Sequence, residues 1–289
     1  MHMKTLLIIL VIVLQQGSFA DSINVMTFNI RYDNPKDGDN GWKFRKEHVA
    51  EVITHEQPDV IAIQEATKSQ MEYLQSQFEH LAPIGEHTKG GQKGEFAGLF
   101  INKTKFEVLN SGQLWLSKTP LKKGSIDWDS ALSRSATWAK IKSKEEKSRP
   151  FVVFGTHFDH RGVEARLESA KLLISKIEEL EKDIPVILMG DLNCQLKSEP
   201  MKQFLESGLK VAVTENAGGT FHSFKGNTNG RRIDFILLNQ HWTVESASIL
   251  RPRKGDKSAS DHDPVVATIN LAKQNNSSTQ GALSQIEHE

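Results

Sequence analysis

The sequence has a single cysteine, Cys194, among its 289 residues. One cysteine cannot form an intramolecular disulfide, so the fold depends on a hydrophobic core and not on covalent cross-links. Cys194 follows Asn193 directly after a predicted strand. We interpret its side chain as a small buried apolar group, in preference to a nucleophile.

The sequence also lacks an excess of charge of either sign, because 36 lysines and arginines balance 36 aspartates and glutamates. Proteins that bind long nucleic acids without sequence preference usually carry a clear basic excess. Neutrality therefore argues against that class of protein, although basic clusters occur at Arg231-Arg232 and at residues 251–257.

Long apolar runs are absent after the N-terminal segment. The run at residues 6–14 follows Lys4 and precedes Ser18-Phe19-Ala20. This pattern is typical of a signal peptide, and the run is too short to span a bilayer comfortably. We therefore predict a signal peptide at residues 1–20, cleavage near Ala20, and export to the periplasm or the medium, with no transmembrane segment in the mature chain.

The remaining sequence contains neither internal repeats nor a linker. We predict one domain at residues 21–272, which is long enough for a single large core. Residues 273–289 are polar and are predicted to be a disordered tail. We expect the protein to be a monomer.

Helices occur singly between more numerous strands. Apolar side chains at helical spacing predict helices at 43–56 and 163–180, and a further helix, capped by Thr67 or Ser69, that reaches Phe78. Residues 96–115 are predicted to form a hairpin with its turn at 102–105. Other predicted strands are Ile23–Asn29, 59–65, 134–141, Phe151–His157, 185–191, 233–238, 243–250 and Val265–Leu271. This order favours an α/β fold in which helices cover the outer faces of sheets.

Several predicted strands end in the same kinds of polar residue: Asn29, Glu65, His157, Asp191 and Asp234. Further polar residues follow or precede strands nearby, namely Asp159, His160, Asn193, Asp261 and His262. Carboxylates at the ends of buried strands are costly unless they are paired or bind a cation. The pattern therefore predicts one convergent site. Taken alone, Ser260-Asp261-His262-Asp263-Pro264 is more typical of an ordinary polar turn.

The residue types at these positions narrow the choice of metal. Glutamate, aspartate and asparagine without a cysteine ligand suit a hard cation such as Mg²⁺ or Mn²⁺. A zinc site built from His157, His160 and His262 is the alternative, but this spacing does not match a helical zinc motif.

The sequence resembles the endonuclease/exonuclease/phosphatase superfamily, whose members include deoxyribonuclease I. The resemblance covers about residues 23–271 and rests on six motifs that occur in the family's order: Asn29, Gln64-Glu65, Thr156-His157, Gly190-Asp191-Leu192-Asn193, Asp234 and Ser260-Asp261-His262-Asp263-Pro264. Two further segments, Asn29-Ile30-Arg31-Tyr32-Asp33 and Trp115-Leu116-Ser117, look like those of a bacterial exported branch.

The resemblance implies a four-layered α/β sandwich, with two central, mostly antiparallel sheets flanked by helices. It also implies a metal-dependent phosphoester hydrolase. Glu65 would hold the metal, with Asn29 adjacent and Asp261 assisting. Asp191 would activate water beside Asn193, and Asp234 would support His262. The predicted phosphate contacts are His160, Asn193 and His262, with His157 as a further catalytic contact.

Two other functions stay open. An extracellular nuclease is the second candidate within the enzyme class, since scavenged nucleic acid remains a possible substrate. A catalytically silent binding module on the same scaffold is the third. That module predicts loss of at least one catalytic residue, whereas Glu65, Asp191, Asn193, Asp234 and His262 are all present.

Other conspicuous residues have simpler interpretations. The five tryptophans are expected to pack in the core or at its rim, because they are not interleaved with basic residues as base-stacking platforms are. Arg134 and Arg166 fit either a grip on a substrate phosphate or surface ion pairs. Asp33, Asp37 and Asp39 have the spacing of a calcium loop without its remaining ligands, which favours a polar turn.

Overall fold

The computed structural model describes residues 22–146 and 148–272. The predicted signal peptide at residues 1–20 and the predicted tail at 273–289 lie outside the described residues. The strands are β1 (Ile23–Asn29), β2 (Val60–Ala66), β3 (Leu81–Ile84), β4 (Phe96–Asn102), β5 (Phe106–Trp115), β6 (Ser135–Ser143), β7 (Phe151–His157), β8 (Val186–Asp191), β9 (Lys210–Val211), β10 (Asp234–Leu238), β11 (Trp242–Ile249), β12 (Arg253–Lys254), β13 (Lys257–Ser258) and β14 (Val265–Leu271). The helices are α1 (Trp42–Glu56), α2 (Lys68–Gln77), α3 (Val163–Glu178) and α4 (Glu199–Glu206), with short 3-10 turns at Pro35–Asn40 and Glu215–Ala217.

Two six-stranded sheets form the centre of the fold. The first sheet has the order β11-β14-β1-β2-β4-β3, and the second has the order β5-β6-β7-β8-β10-β9. Each sheet contains one parallel pair, β1 with β2 and β7 with β8, and its other pairs are antiparallel. The predicted α/β fold with two mostly antiparallel sheets is confirmed.

Three apolar clusters separate four layers. The middle cluster joins the facing sides of the two sheets, with Val25 and Val60 from the first sheet and Val153 and Ile187 from the second. A second cluster packs α1 and α2 on the first sheet, and a third packs α3 and α4 on the second. Strands covered on both faces read as continuous apolar runs, which explains why the sequence locates them well.

Strand register brings the polar strand ends together. In the first sheet Asn29 pairs in parallel with Gln64, and in the second His157 pairs in parallel with Asp191. Asp234 begins β10 directly opposite Asp191 on an antiparallel strand. Because these residues all lie at strand termini, the stacked sheets present them along one edge.

The predicted hairpin at residues 96–115 is wrong. β4 pairs with β2 and β3, whereas β5 pairs with β6 in the other sheet. The turn between them, where Thr104 N donates to Asn102 Oδ1 at 3.1 Å, carries the chain from one sheet to the other. A hairpin turn and a turn that passes from one sheet to the other use the same residue types. Only the pairing of each strand with a partner far away in the sequence distinguishes the two.

Smaller differences concern short or amphipathic elements. The sequence interpretation missed β3, β9 and α4, which have too few residues for a clear periodic pattern. Phe44, an apolar residue of α1, is 59% exposed. Of the two residues proposed to cap α2, Thr67 is the N-cap, and it forms a capping box with Gln70. No helix within the described residues is long and apolar enough to cross a membrane.

Candidate active site

The polar strand ends line a cleft of about 430 Å³ at one edge of the sandwich. Its walls combine both sheets with the loops that connect them. The lining residues are Arg31, Tyr32, Glu65, Glu95, Leu132, Arg134, His157, His160, Asp191, Asn193, Phe221, Ser223, Arg231, Ile233, Asp261 and His262. The structure therefore brings together the predicted site residues; Asn29 and Asp234 lie directly behind this wall, in contact with it.

Asp191 ends β8 and is 1% exposed. Its Oδ2 accepts a hydrogen bond from Asn29 Nδ2 at 3.0 Å and lies 3.4 Å from His157 Nε2 and 3.8 Å from His262 Nε2. Its Oδ1 accepts from the backbone N–H of Asn193 at 2.9 Å. Burial raises the pKa of Asp191 to about 7, with a further increase from the charge of Asp234.

His262 is the charged imidazole of the site. Its Nδ1 donates to Asp234 Oδ2 at 2.9 Å, and both side chains are buried. Burial alone would lower the pKa of His262, but Asp234, Asp191 and Asp261 outweigh it and hold that pKa well above the usual value. His262 Nε2 therefore carries a proton and faces the cleft beside Asp191.

His157 is held in a different state by Arg134. Arg134 Nη1 lies 2.8 Å from His157 Nδ1, and because a guanidinium only donates, Nδ1 must accept. The ring proton is therefore assigned to Nε2, 3.4 Å from Asp191 Oδ2, so the Asn193 Nδ2 that lies 3.2 Å from the same Nε2 is a close contact and not a hydrogen bond. Burial, with the nearby charge of Arg134, lowers the pKa of His157 well below its usual value, so the ring is neutral.

Glu65 and Asp261 form the opposite side of the site around Arg31. Arg31 Nη1 lies 4.0 Å from Glu65 Oε2, and Arg31 Nε lies 3.9 Å from Asp261 Oδ2. Glu65 Oε1 accepts from Asn29 Nδ2 at 3.1 Å, so the Asn29 amide lies between Glu65 and Asp191. One arginine thus faces three acidic groups, since it also pairs with Asp37 at 2.9 Å.

This donor set fits a hard divalent cation. Burial is the main cause that raises the pKa of Asp261, and the charge of Glu65 adds to it, whereas His262, Arg31 and Arg45 oppose it. A cation bound among these carboxylate and amide oxygens would offset the cost of burying the carboxylates. A second group that could hold a metal ion consists of Asp191, Asp234 and His262, whose ligand atoms lie within 4.8 Å of one another.

His160 and Asn193 complete the predicted set. His160 is exposed at the cleft, with its Nδ1 3.3 Å from Arg134 Nη2. Asn193 Nδ2 donates to the Phe158 carbonyl at 3.0 Å. Histidines 157, 160 and 262 do not form a shared cluster among the candidate metal groups found in the described residues, so the alternative zinc site gains no support.

Backbone strain concentrates at the cleft. Of the eight non-glycine residues with positive φ in the described chain, four line the cleft: Arg31, Glu65, Asn193 and Ser223. Such conformations cost about 1–3 kcal/mol each and persist where the surrounding structure enforces them, often at functional sites. Glu65 has a φ of 66°, which turns its carboxylate out of the strand and toward Arg31.

Sequence reasoning left open a grip on phosphate or a surface ion pair for Arg134 and missed several other cleft residues. Arg134 is 4% exposed, which excludes the surface ion pair; it contacts His157 and His160 and lies 3.4 Å from Glu95. Arg31, Glu95, Phe221 and Arg231 also line the cleft. In the sequence, the one indication of a site residue was a position next to a motif or a strand end. Arg31 and Arg134 both have such a position. Arg166 lies outside the cleft lining and donates to the Asp159 carbonyl at 2.9 Å.

Other expectations concern residues outside the site. Trp42, Trp115 and Trp242 are buried, and Trp128 and Trp138 are half-buried, as the packing interpretation predicted. Cys194 is buried, and burial raises the pKa of its thiol to about 11, which disfavours a nucleophile. Asp37 pairs with Arg31 in a 3-10 turn capped by Asn34, and Asp33 and Asp39 are exposed.

Comparisons with known proteins agree with this fold. An endonuclease/exonuclease/phosphatase structure from Bacteroides vulgatus is 35% identical, with a TM-score of 0.81 over 87% of this chain and 99% of that one. A mannosyl-6-phosphatase structure from Bacteroides thetaiotaomicron is 29% identical, with a TM-score of 0.80 over 86% of this chain and 100% of that one.

Curated sequences are more distant. An uncharacterised protein from Acanthamoeba polyphaga mimivirus is 24% identical over 63% of this chain. The chain spans only 31% and 46% of the lengths of the two curated relatives that it matches. The profile of the Endonuclease/Exonuclease/phosphatase family matches residues 26–262, which is most of the chain. The chain therefore belongs to the endonuclease/exonuclease/phosphatase family.

Proposed function

We propose that this protein is an exported phosphoesterase that hydrolyses a phosphodiester or phosphomonoester with a bound Mg²⁺ or Mn²⁺. The observation that carries the proposal is the position of Asp191. Its carboxylate lies between the Asn29 amide, the His157 ring and the charged His262 ring, at the floor of a cleft whose other side is acidic. Family membership supports a hydrolase of phosphoesters.

The cation would be held by Glu65, Asn29 and Asp261. These residues offer the oxygen ligands that Mg²⁺ and Mn²⁺ prefer, and Arg31 lies 4.0 Å from Glu65 and 3.9 Å from Asp261. When bound, such a cation stabilises negative charge on phosphate oxygens. We favour this side over the Asp191, Asp234 and His262 group, because the Nδ1 of His262 already donates to Asp234.

Asp191 is proposed as the base that orients and deprotonates the attacking water. Two hydrogen bonds, from Asn29 Nδ2 and the Asn193 N–H, fix the orientation of its carboxylate. Its raised pKa, about 7, suits proton transfer near neutral pH, because a general base works best when its pKa lies near the working pH. Asn193 would hold this loop and contact the phosphate.

The histidines would bind the phosphate and stabilise the developing charge. His262 would donate from Nε2 to a phosphate oxygen, with Asp234 holding its ring and its positive charge. His157 would donate from Nε2, and His160 would contact the phosphate or the leaving group from the exposed rim. Donors fixed in advance toward the transition state are typically worth about 2.7–4 kcal/mol each.

The test is a hydrolysis screen with p-nitrophenyl phosphate, bis-p-nitrophenyl phosphate, sugar phosphates, inositol phosphates, sphingomyelin, RNA and plasmid DNA. The screen compares Mg²⁺ with chelator, and compares Asp191→Asn with the exposed control Asp256→Asn. We expect activity that requires metal, survives in Asp256→Asn and is lost in Asp191→Asn. Activity that persists in chelator and in Asp191→Asn would overturn the proposal. Metal binding without hydrolysis of any substrate would favour the silent binding module.

For the substrate, we place a sugar phosphomonoester first and nucleic acid second. A relative at 29% identity over most of both chains is a mannosyl-6-phosphatase. The formal net charge of zero weighs against a nuclease, because polyanions bind best to proteins with a basic excess. A higher kcat/KM on plasmid DNA or RNA than on sugar phosphates would reverse this order.

The proposal also includes export of the protein and the bounds of its single domain. The N-terminal pattern supports cleavage near Ala20, which would leave a mature chain with the domain at residues 21–272. Mass spectrometry of the protein recovered from the periplasm or medium should give a chain that begins near Asp21. An unprocessed chain that stays in the cytoplasm would contradict the proposed export and cleavage.

A further inference from the structure

Two loops lie beside the cleft, and we call them the rim loops: residues 86–95 and 117–133. They are joined because the Thr88 carbonyl accepts from Ser133 Oγ at 2.8 Å, and the same carbonyl accepts from Trp115 Nε1, at the end of β5, at 2.5 Å. Glu95 and Leu132, one from each loop, line the cleft itself. Whatever contacts the rim loops therefore lies next to the cleft mouth.

The rim carries exposed aliphatic side chains. Leu121 is 83% exposed, Ile126 54% and Leu132 39%. Val163 is 69% exposed and adjoins them, since its N–H donates to Asp129 of the rim at 2.8 Å. These residues are four of the nine large apolar side chains exposed in the described part of the chain. Such clustering marks an interaction surface more often than scattered exposed residues do.

Leu121 is held outward by an ordered turn. Lys122 N donates to the Thr119 carbonyl at 2.9 Å, which closes a turn with Leu121 near its tip. Ser125 secures the turn through its N–H to the Lys122 carbonyl at 3.1 Å and its Oγ to the Thr119 carbonyl at 3.2 Å. The most exposed leucine is thus presented by a turn that is hydrogen-bonded on both sides.

Lysines surround this apolar tip. The rim loops contain five exposed lysines: Lys89, Lys93, Lys118, Lys122 and Lys123. The two loops meet here, because the Lys89 carbonyl and Gly124 are neighbours. Among the described residues only Lys123 of the five has a carboxylate within 4 Å, that of Glu86 at 2.6 Å. The rim loops also hold four carboxylates, which have partners within the fold: Glu86 with Lys123, Glu95 with Arg134, Asp127 with the Lys118 N–H and Asp129 with the Val163 N–H. Five lysines against four carboxylates leave a net charge of +1, and the lysines without a carboxylate partner lie around the aliphatic tip.

We propose that the rim loops dock the protein on an anionic phospholipid surface, with Leu121 and Ile126 entering the headgroup region. Aliphatic side chains ringed by lysines match such a surface, which combines negative charge with accessible hydrocarbon. A nucleic-acid surface is less consistent, because its unpaired bases are bound by aromatic platforms and the rim presents aliphatic tips. Docking would hold the cleft mouth close to the membrane.

The test measures binding of the purified protein to vesicles of phosphatidylcholine, with and without phosphatidylglycerol. Wild type and all variants are prepared with the same N-terminal residue, so that the N-terminal segment does not differ between them. Wild type should bind the phosphatidylglycerol vesicles, and salt should weaken that binding. Leu121→Ser should weaken it about tenfold, and Lys122→Gln about fivefold. The matched controls Val244→Ser and Lys182→Gln, also at exposed positions, should bind like wild type.

Three results would overturn the proposal. The first is that wild type does not bind phosphatidylglycerol vesicles, and the second is that Val244→Ser weakens binding as much as Leu121→Ser does. The third is that Lys122→Gln weakens binding while Leu121→Ser does not, which would indicate a surface for polyanions in general. Unchanged hydrolysis of a soluble phosphoester by Leu121→Ser, together with an unchanged Tm, keeps the docking result separate from folding and from catalysis.

Discussion

The two sheets contribute chemically different halves to the cleft. The first sheet ends in Asn29 and Glu65, which offer oxygens around Arg31. The second sheet provides His157, Asp191 and Asp234 and holds the charged His262. One half therefore offers oxygen ligands that suit a cation, whereas the other supplies proton donors and a base. A phosphoester needs both, because its oxygens require cations and N–H donors while water requires activation.

The segment 260–263 connects these halves. Asp261 faces Arg31 on the first-sheet side, and His262, the next residue, contacts Asp234 on the second-sheet side. The segment is fastened on both sides, since Ser260 Oγ donates to the Asn29 carbonyl at 2.7 Å and Asp263 pairs with Arg251 at 2.5 Å. Consecutive residues thus serve opposite walls of the cleft.

The largest expected effect is in the second-sheet half. His262→Ala removes a charged donor fixed by Asp234 and should lower kcat about 10²- to 10³-fold. Higher concentrations of Mg²⁺ should not restore the activity, because the metal ligands remain in place. His241→Ala, a half-buried histidine on the far side of β10, is the control in steady-state assays. If added Mg²⁺ restored the activity of His262→Ala, the two halves of the cleft would not have the separate functions proposed for them.

In the first-sheet half, Glu65→Gln should act mainly through metal. Loss of this carboxylate should raise the concentration of Mg²⁺ needed for half-maximal activity about 10- to 100-fold. Saturating Mg²⁺ should recover most of the turnover. Metal titrations of activity, with binding of Mn²⁺ measured by isothermal calorimetry, check this. An unchanged metal requirement with lower kcat would move Glu65 from metal binding to another function.

Arg134→Gln should lower kcat about tenfold, an effect smaller than that of His262→Ala. The variant loses the donor that fixes the His157 tautomer, 2.8 Å away, while the ring itself remains. Arg134→Lys should recover part of the loss because it keeps a donor and a charge. ¹⁵N chemical shifts of His157 should show the proton on Nε2 in wild type and a mixture of tautomers in Arg134→Gln. Identical shifts in both proteins would exclude the positioning role.

The smallest effect on turnover is expected at Asp263, where the effect is on stability. Burial alone would raise the pKa of Asp263, but His222, Arg253 and Arg251 outweigh it and lower that pKa. A lowered pKa in the folded state stabilises the fold above the unfolded pKa, about 3.9, and this contribution is lost as the pH falls through the folded value. Asp263→Asn should therefore destabilise the protein by about 3 kcal/mol at pH 7.

Urea unfolding at several pH values checks the Asp263 prediction. The difference between wild type and Asp263→Asn should begin to shrink below about pH 4, where the Asp263 carboxyl of the unfolded chain takes up a proton, and should be lost as the pH falls through the lower folded pKa. Asp256→Asn, at an exposed turn, should unfold like wild type throughout. A difference that is constant from pH 7 to pH 3 would point to lost packing in place of lost charge pairing.

Elements with long apolar runs or clear helical spacing were predicted well. The bounds of β1, β7 and β14 agree with the sequence prediction, and α1 begins one residue before its predicted start. These segments are buried on one or both faces, so their hydrophobic pattern carries the information. The hairpin at 96–115 failed because each of its strands has its own partner elsewhere, and no local signal encodes partners so far apart.

The candidate site divides in the same way. The predicted residues Glu65, Asp191, Asn193 and His262 carried their signal in short motifs at strand ends, and the cleft brings them together. Arg134, Arg31 and Glu95 carried little signal, because a lone charged residue beside a strand is usually solvated. Their place in the site follows from the packing of the two sheets.

The sequence by itself determined the longer buried strands, the main helices, the family and the chemical types at the strand ends, because hydrophobic periodicity and short motifs are local properties. Only the tertiary structure decided which strands pair, and that Arg134 fixes one histidine as neutral while Asp234 keeps another charged. It also decided that Leu121 points outward beside the cleft. These properties depend on burial and on distances between residues far apart in the chain, and a linear pattern contains neither.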